Sequence, residues 1–362
     1  MTPMCGRMAG ALCAVAAVAC GPGPPALALA TRPRFQAQPP GGAALLRRLV
    51  PTGQHFVVEG GGRITIIGHS DFHLLGRFLS REDITPILRQ RQAAGYNTLR
   101  VWTRYRLSNY GIGDSTLAQH PDLYTRLPAF LDTCARFGLY VELTAYSGRE
   151  DFDPQHWTRL TEAARGAMNV LLELVNENDQ RGNHIDTAPF SPPDGMLASH
   201  GSNGAEQPPV KPFWGYADFH TNGALEEQRK VGHSAMEIWN GPTVTFETSR
   251  FPDVGMWVRR GNESREDWLT RVNRLAFDAG AGAALLAAGA AFHDVHGKDS
   301  TLWDDDTAVV AKAFADGMRS VPLTCQDGPY RRREDLEKGH PLLLRVYERP
   351  VEAVNCVVSI RR

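Results

Sequence analysis

The sequence is poor in lysine, in cysteine and in long apolar runs. Five lysines, at 211, 230, 298, 312 and 338, stand among 39 basic residues, so arginine carries nearly all the positive charge. With 40 acidic residues the formal net charge is −1, and no bulk electropositive character points to nucleic acid. Beyond residue 30 no stretch reaches the roughly eighteen apolar residues of a membrane-spanning helix. Of six cysteines, Cys5, Cys13 and Cys20 lie near the start, and no C-x-x-C pair suggests structural zinc. Cys134 falls on the apolar face of a helical pattern and reads as a buried thiol. Cys325 and Cys356 are the candidates for a disulfide in an oxidising compartment. A composition of 42% hydrophobic residues, with 35 glycines and 24 prolines, excludes disorder and collagen as overall descriptions.

The first thirty residues form a separate object. Arg7, the apolar run Met8–Cys20 and the exit Ala28-Leu29-Ala30 have the order of a secretory signal. They predict a secreted or periplasmic protein. The segment Ala17-Val18-Ala19-Cys20-Gly21 offers lipid attachment at Cys20 as a second route. Residues 31–52, rich in proline and glycine, read as a linker, residues 53–321 as one domain and residues 322–362 as a C-terminal β appendage.

Within the domain, Phe56–Glu59 and Arg63–Ile67 predict an N-terminal β-hairpin turning at Gly60-Gly61-Gly62. Helical patterns and short apolar strands then alternate. Ser80 followed by Asp83 reads as a helix start, and Gly95 as its stop. Leu123, Leu127, Leu131 and Cys134 line a second helix; Ser264 with Asp267 opens a later one that ends at Gly280. Strand candidates fall at 64–69, 97–102, 139–145, 169–176, 195–199, 215–220, 243–247 and 283–288. Eight strands interleaved with helices fit an α/β fold, a (β/α)₈ barrel of about 250 residues. An open doubly wound sheet is the competitor, but no G-x-G-x-x-G follows the first strand.

In such a barrel the chemistry gathers at the C-terminal strand ends. Two glutamates, Glu177 and Glu247, fall at the ends of the fourth and seventh strands. A carboxylate pair across the mouth suits glycoside cleavage, one acid protonating the leaving oxygen while the other attacks the anomeric carbon or activates water. Glu173 lies about 13 Å deeper at ~3.3 Å per residue and, like Glu142, reads as a hydrogen-bonded interior group.

The run Leu171–Asn178 (LLELVNEN), followed by Val244-Thr245-Phe246-Glu247-Thr248, resembles clan A of the glycoside hydrolases, especially its cellulase-like family. Asn97–Trp102 resembles that clan's second strand and Gly138–Val141 its third. The resemblance implies Glu177 as general acid/base and Glu247 as nucleophile of a retaining mechanism. It further implies that Asn176 binds the sugar 2-hydroxyl, that Arg100 hydrogen-bonds Glu247, and that His220 stands near the nucleophile. Trp102 and Tyr146 would stack on pyranose rings, with Phe292 or Trp303 replacing the tryptophan expected on strand eight. The chain departs from the pattern at Asn178, where proline is usual, and after His220, where Thr221-Asn222 brings no tyrosine.

Two rival readings stand beside this one. His69, His73, His200, His220, His293 and His296 lie near strand ends and would suit a metal-dependent hydrolase, although His69 and His73 are awkwardly spaced for joint ligation. A non-catalytic carbohydrate-binding barrel would keep the aromatics without needing both acids. The leading expectation is a monomeric glycosidase with a carbohydrate partner, no obligatory metal or cofactor, no nucleic acid and no membrane span. Residues 179–194 and 250–265 are the expected cleft-shaping loops.

Overall fold

The computed structural model describes residues 46–52, 55–108, 113–148, 152–178, 184–202, 214–221, 243–249, 259–293, 300–321, 323, 351–353 and 356–358. The expected signal segment, Cys20 and Cys325 lie outside the described residues. Among those described, no helix is long and apolar enough to cross a membrane.

Three short antiparallel strands come first: β1 (Leu49–Thr52), β2 (His55–Val58) and β3 (Arg63–Ile64). β1 corrects the expected linker, which was drawn through residue 52. Leu49 is buried, and Arg48 donates to the carbonyls of Arg165 and Gly195, so this stretch belongs to the folded unit.

Eight parallel strands then close a ring: β4 (Ile66–Ser70), β5 (Thr98–Trp102), β8 (Tyr140–Tyr146), β9 (Val170–Val175), β10 (Leu197–Ser199), β11 (Tyr216–Thr221), β12 (Thr243–Ser249) and β13 (Gly289–His293). Between β5 and β8, β6 (Tyr105–Leu107) and β7 (Gly113–Ser115) make a small antiparallel pair. The ring closes where β13 pairs with β4, Gly289 opposite Ile66 and Phe292 opposite His69.

Strand alternation builds two environments. Leu99, Val101, Val141, Leu143, Leu172 and Leu174 face outward. They pack with Leu127, Phe130, Leu131 and the buried Cys134 of α3 (Leu123–Arg136), which follows α1 (Leu74–Leu79) and α2 (Thr85–Ala94), and with Trp157 and Leu160 of α4 (His156–Ala164). Inward, Ile66, Tyr140, Leu171, Leu197 and Tyr216 form an apolar floor against Phe56 and Leu49 of the N-terminal sheet. Above that floor the interior turns polar, with Arg100, Glu142, Glu173 and Asp218 all buried.

Several local expectations change. Ser80 caps the C-terminal end of α1, while α2 begins at Thr85. Pro86 pre-sets the first turn, and Asp83 accepts from the amide and hydroxyl of Thr85. Ser264 does cap the later helix, accepting from the Asp267 amide, but that helix (α5, Arg265–Leu286) runs past Gly280. Gly280 is a packing residue there. A Cβ on it would lie 2.1 Å from the Phe314 carbonyl of α6 (Asp305–Ser320), and one on Gly317 would lie 2.0 Å from the Phe277 carbonyl. The eighth strand therefore falls at 289–293, six residues later than the pattern predicted. At the C-terminus, β14 (Val351–Ala353) and β15 (Cys356–Val358) pair antiparallel; the expected piece at 342–347 lies outside the described residues.

A buried clamp joins the two ends of the ring. Asp71, just past β4, takes a two-pronged bond from Arg91 at 2.8 and 3.0 Å and a third from the Ser300 amide at 2.8 Å. Arg91 reaches the Thr301 carbonyl and lies over the Trp303 ring at 3.7 Å. Burial alone would raise the Asp71 carboxyl, but Arg91 and His69 hold it well below the usual carboxylate range.

The helix contact yields a direct test. Gly317→Ala should cost about 1–3 kcal/mol or more, because the methyl meets backbone and not a movable side chain. Gly166→Ala, with open space around its Cβ position, should stay within about 0.5 kcal/mol of wild type. Equal effects in urea melts would refute the close-packing account.

Candidate active site

β9 delivers Asn176 and Glu177 to the C-terminal mouth of the barrel. The chain after β10 keeps pairing alongside them. Ser202 donates its amide to Val175 at 3.1 Å, Asn178 donates to the Ser202 carbonyl at 3.1 Å, and the Asn176 amide reaches Tyr146 on the other side at 2.9 Å. That approach needs Gly201, whose φ is +131° and whose Cβ would fall 2.3 Å from the Val175 carbonyl. Glu177 is half-buried and sits at φ +44°, a left-handed conformation that non-glycine residues seldom adopt. Its amide donates to Ser202 Oγ at 3.1 Å.

Below this turn lies a buried ionic group. Arg100 Nε and Nη2 donate to Glu173 Oε2 at 3.1 and 2.6 Å, and Nη2 also reaches Asn176 Oδ1 at 2.9 Å. Glu173 accepts further bonds from Thr144 Oγ1 at 2.6 Å and Ser202 Oγ at 2.9 Å. Arginine can only donate, so the Asn176 carbonyl oxygen must face it and the amide NH₂ is left to face elsewhere.

Glu247 lies near the end of β12, three places around the ring from β9, with Ala291 and His220 as its register partners. The side chains of Glu247 and His220 lie outside the described residues, and with them the expected Arg100–Glu247 bond.

The aromatic expectations divide. Trp102 is 8% exposed and stacks on Phe72 at 4.1 Å, so one ring face is already covered. Its indole N–H has no partner among the described residues. Tyr146, expected to touch sugar, is instead packed among Phe152, His156 and Phe190, with its hydroxyl donated to the Asp153 carbonyl. Phe292 is also corrected. Strand parity turns it outward, where it stacks on Phe314 of α6 at 4.8 Å. Trp303 is covered by Arg91. The same parity turns His293, expected only as one of the strand-end histidines, inward against Phe72 at 4.7 Å.

The other histidines are spread apart. His69 points into the helix layer against Tyr96 and Trp303, with Nδ1 at 3.1 Å from Asp71. His73 packs on Tyr105, and burial lowers it to about 4; His200 packs on Trp214. Among the described residues no three His, Cys, Asp or Glu side chains converge as a metal-ligand set. Residues following β8 and β9 line an open cavity of about 600 Å³, among them Phe152, Trp157, His184, Asp186 and Phe190. It occupies part of the region expected to shape a cleft.

Deeper in the barrel, Glu142 is bonded by the Tyr216 hydroxyl. Burial, reinforced by the negative charges of Asp218 and Glu173, pushes Glu142 up to about 8.

No family model matches the chain, and no curated protein matches it. A solved structure described as a glycoside hydrolase is 15% identical with a TM-score of 0.52, over 77% of this chain and 76% of its own. A glycoside hydrolase family 5 structure from Bacteroides vulgatus is 15% identical with a TM-score of 0.49, over 68% of this chain and 62% of its own. An endo-β-1,4-mannanase from Thermotoga petrophila is 13% identical with a TM-score of 0.42, over 70% and 76%. This chain thus spans less than two thirds of the Bacteroides structure.

Glu142 gives a pH test. Its folded value lies above the ordinary 4.5, so the native state holds a proton that the unfolded chain releases between about pH 4.5 and 8. This contribution is complete below that window and is lost as pH rises through it. Glu142→Gln should therefore gain on wild type by a few kcal/mol between pH 5 and 8, at roughly 1.4 kcal/mol per unit of full proton difference. A gap between the two urea-melt series that does not change with pH would mean that Glu142 is ionised in the native protein.

At such low identities the likeness is one of fold: the chain shares the barrel fold of a glycoside hydrolase.

Proposed function

We propose that the protein is a retaining glycoside hydrolase of the clan A type, acting on a poly- or oligosaccharide. The observation that carries this reading is the Asn176–Glu177 pair at the barrel mouth, with Asn176 held by a buried arginine. Glu247 at the end of β12 and the fold of a glycoside hydrolase support it.

Glu177, protonated, gives its proton to the glycosidic oxygen as the Glu247 carboxylate attacks the anomeric carbon. The bond to the leaving group breaks and a glycosyl ester on Glu247 forms. Glu177, now a carboxylate, takes a proton from water as that water's oxygen attacks the same carbon and releases Glu247. Retention needs the carboxyl groups about 5–5.5 Å apart. Asn176, with its NH₂ turned away from Arg100, donates to the sugar 2-hydroxyl, a contact that strengthens as positive charge develops on the ring. His220 stands beside the nucleophile, and Trp102 and His293 border the sugar. The near-neutral overall charge suits a neutral glycan. The first thirty residues direct export, and the enzyme works as a monomer.

Screening β-glucans, mannans, xylans and aryl glycosides identifies the substrate. On that substrate Glu247→Ala should abolish turnover, and added azide should restore cleavage to a glycosyl azide of inverted configuration. Full activity in this variant would remove Glu247 as nucleophile. Loss of wild-type activity on chelation would favour a metal-dependent hydrolase, whereas glycan binding without any turnover would favour a binding barrel.

A further inference from the structure

We propose that Glu173 is a positioning residue that sets both Asn176 and Glu177 through two separate hydrogen-bonded arms. The proposal rests on the reading of Glu177 as acid/base and says how that group is held.

One arm runs from Glu173 Oε1 to the Ser202 hydroxyl at 2.9 Å, and from Ser202 Oγ to the Glu177 amide at 3.1 Å. An ionised carboxylate only accepts, so the single hydroxyl proton of Ser202 must point down to Glu173. The lone pairs are then turned up toward the Glu177 N–H. The other arm runs from Glu173 Oε2 through Arg100 to Asn176 Oδ1. Here the donor-only guanidinium fixes which end of the Asn176 amide meets substrate. Thr144 also donates to Glu173 but leads to neither mouth residue.

The arrangement is specific to the mouth. A buried ion pair is a weak source of stability, because desolvation offsets much of its attraction. This one ends on two adjacent residues, and the second has a left-handed backbone that persists only where its surroundings hold it. Glu173→Gln would keep an oxygen toward Arg100 and Thr144 and place an NH₂ toward Ser202. That reverses the lower hydrogen bond, takes away the acceptor of the Ser202 hydroxyl proton and forces the hydroxyl to reorient beneath the Glu177 amide.

The test compares Glu173→Gln and Ser202→Ala with Thr144→Val as control, each checked for folding by circular dichroism and melting. The first readout is kcat/KM on phenyl and 2,4-dinitrophenyl β-glucosides and β-mannosides. Phenolate needs protonation to leave, whereas dinitrophenolate does not. Glu173→Gln and Ser202→Ala should lose roughly 10- to 100-fold on the phenyl glycosides, the scale expected for a displaced catalytic group. They should change by less than about threefold on the dinitrophenyl ones. Thr144→Val should leave both unchanged. Equal losses on both leaving groups would mean a merely structural role and would overturn the proposal.

The second readout is amide hydrogen exchange of Glu177, which needs no turnover. It should quicken roughly tenfold in Ser202→Ala and Glu173→Gln, and not in Thr144→Val. Unchanged exchange in the first two overturns the proposal whatever the activity. If exchange behaves as stated while wild type cleaves no glycoside, the acid/base reading of Glu177 falls and the hold of Glu173 on the segment stands. Ser202→Ala keeps the Arg100–Glu173 pair intact, so the test survives a Glu173→Gln variant that fails to fold.

Discussion

The interior of this barrel is organised around the bond between Arg100 and Glu173. Both side chains are removed from water, so neither is tolerable without the other. Once paired, they impose donor and acceptor directions on everything within reach. Ser202 must donate downward, Asn176 must turn its oxygen inward, and Thr144 must donate sideways. The turn that carries Glu177 is built on the Ser202 and Asn176 bonds. A mouth assembled from loops alone would have more freedom, and its acid would be less well directed.

The interior is also unusual in how its acids are distributed. Glu142, Glu173 and Asp218 are buried in the same polar interior, while Thr245 Oγ1 donates to Asp218 at 2.8 Å and Tyr216 to Glu142. Three ionised carboxylates in so small and dry a volume would repel one another strongly. Holding a proton on Glu142 relieves that repulsion, and Glu173 is the member tied directly to arginine. The neutral acid sits lower and the charged one nearer the mouth, which keeps negative charge beneath Asn176 and Glu177.

Much of this was legible in the sequence because short parallel strands have a simple code. The alternation in Thr98–Trp102 and Val170–Val175 separates inward Arg100 and Glu173 from outward Leu99 and Leu172, and it marks Asn176 and Glu177 as following the strand end. Gly95 and Ser264 mark helix boundaries through local conformation and capping, so they too can be read from neighbours alone. Gly280 could not be read this way. Its glycine serves a contact with Phe314, more than thirty residues later, and a local pattern cannot distinguish that from a stop. Reading it as a stop places the eighth strand six residues early and puts Phe292, an aromatic of the helix layer, at the mouth. Ser202 was missed because it pairs beyond the end of a three-residue strand; Gly201 beside it was the available signal.

The Asp71–Arg91–Ser300 clamp has a consequence for the order of assembly. Its bond from the Ser300 amide to Asp71 spans 229 positions of sequence. Contacts of such separation carry the largest loop-closure cost and reward the chain only after intervening units are in place. β13 must also find β4 across nearly the same separation before the ring is complete. Closure is therefore a late event, and until it occurs the first and last strands each present an unpaired edge. A clamp that forms late contributes little to the speed of folding. It acts mainly by slowing the opening of a finished barrel, giving the protein persistence after it has folded.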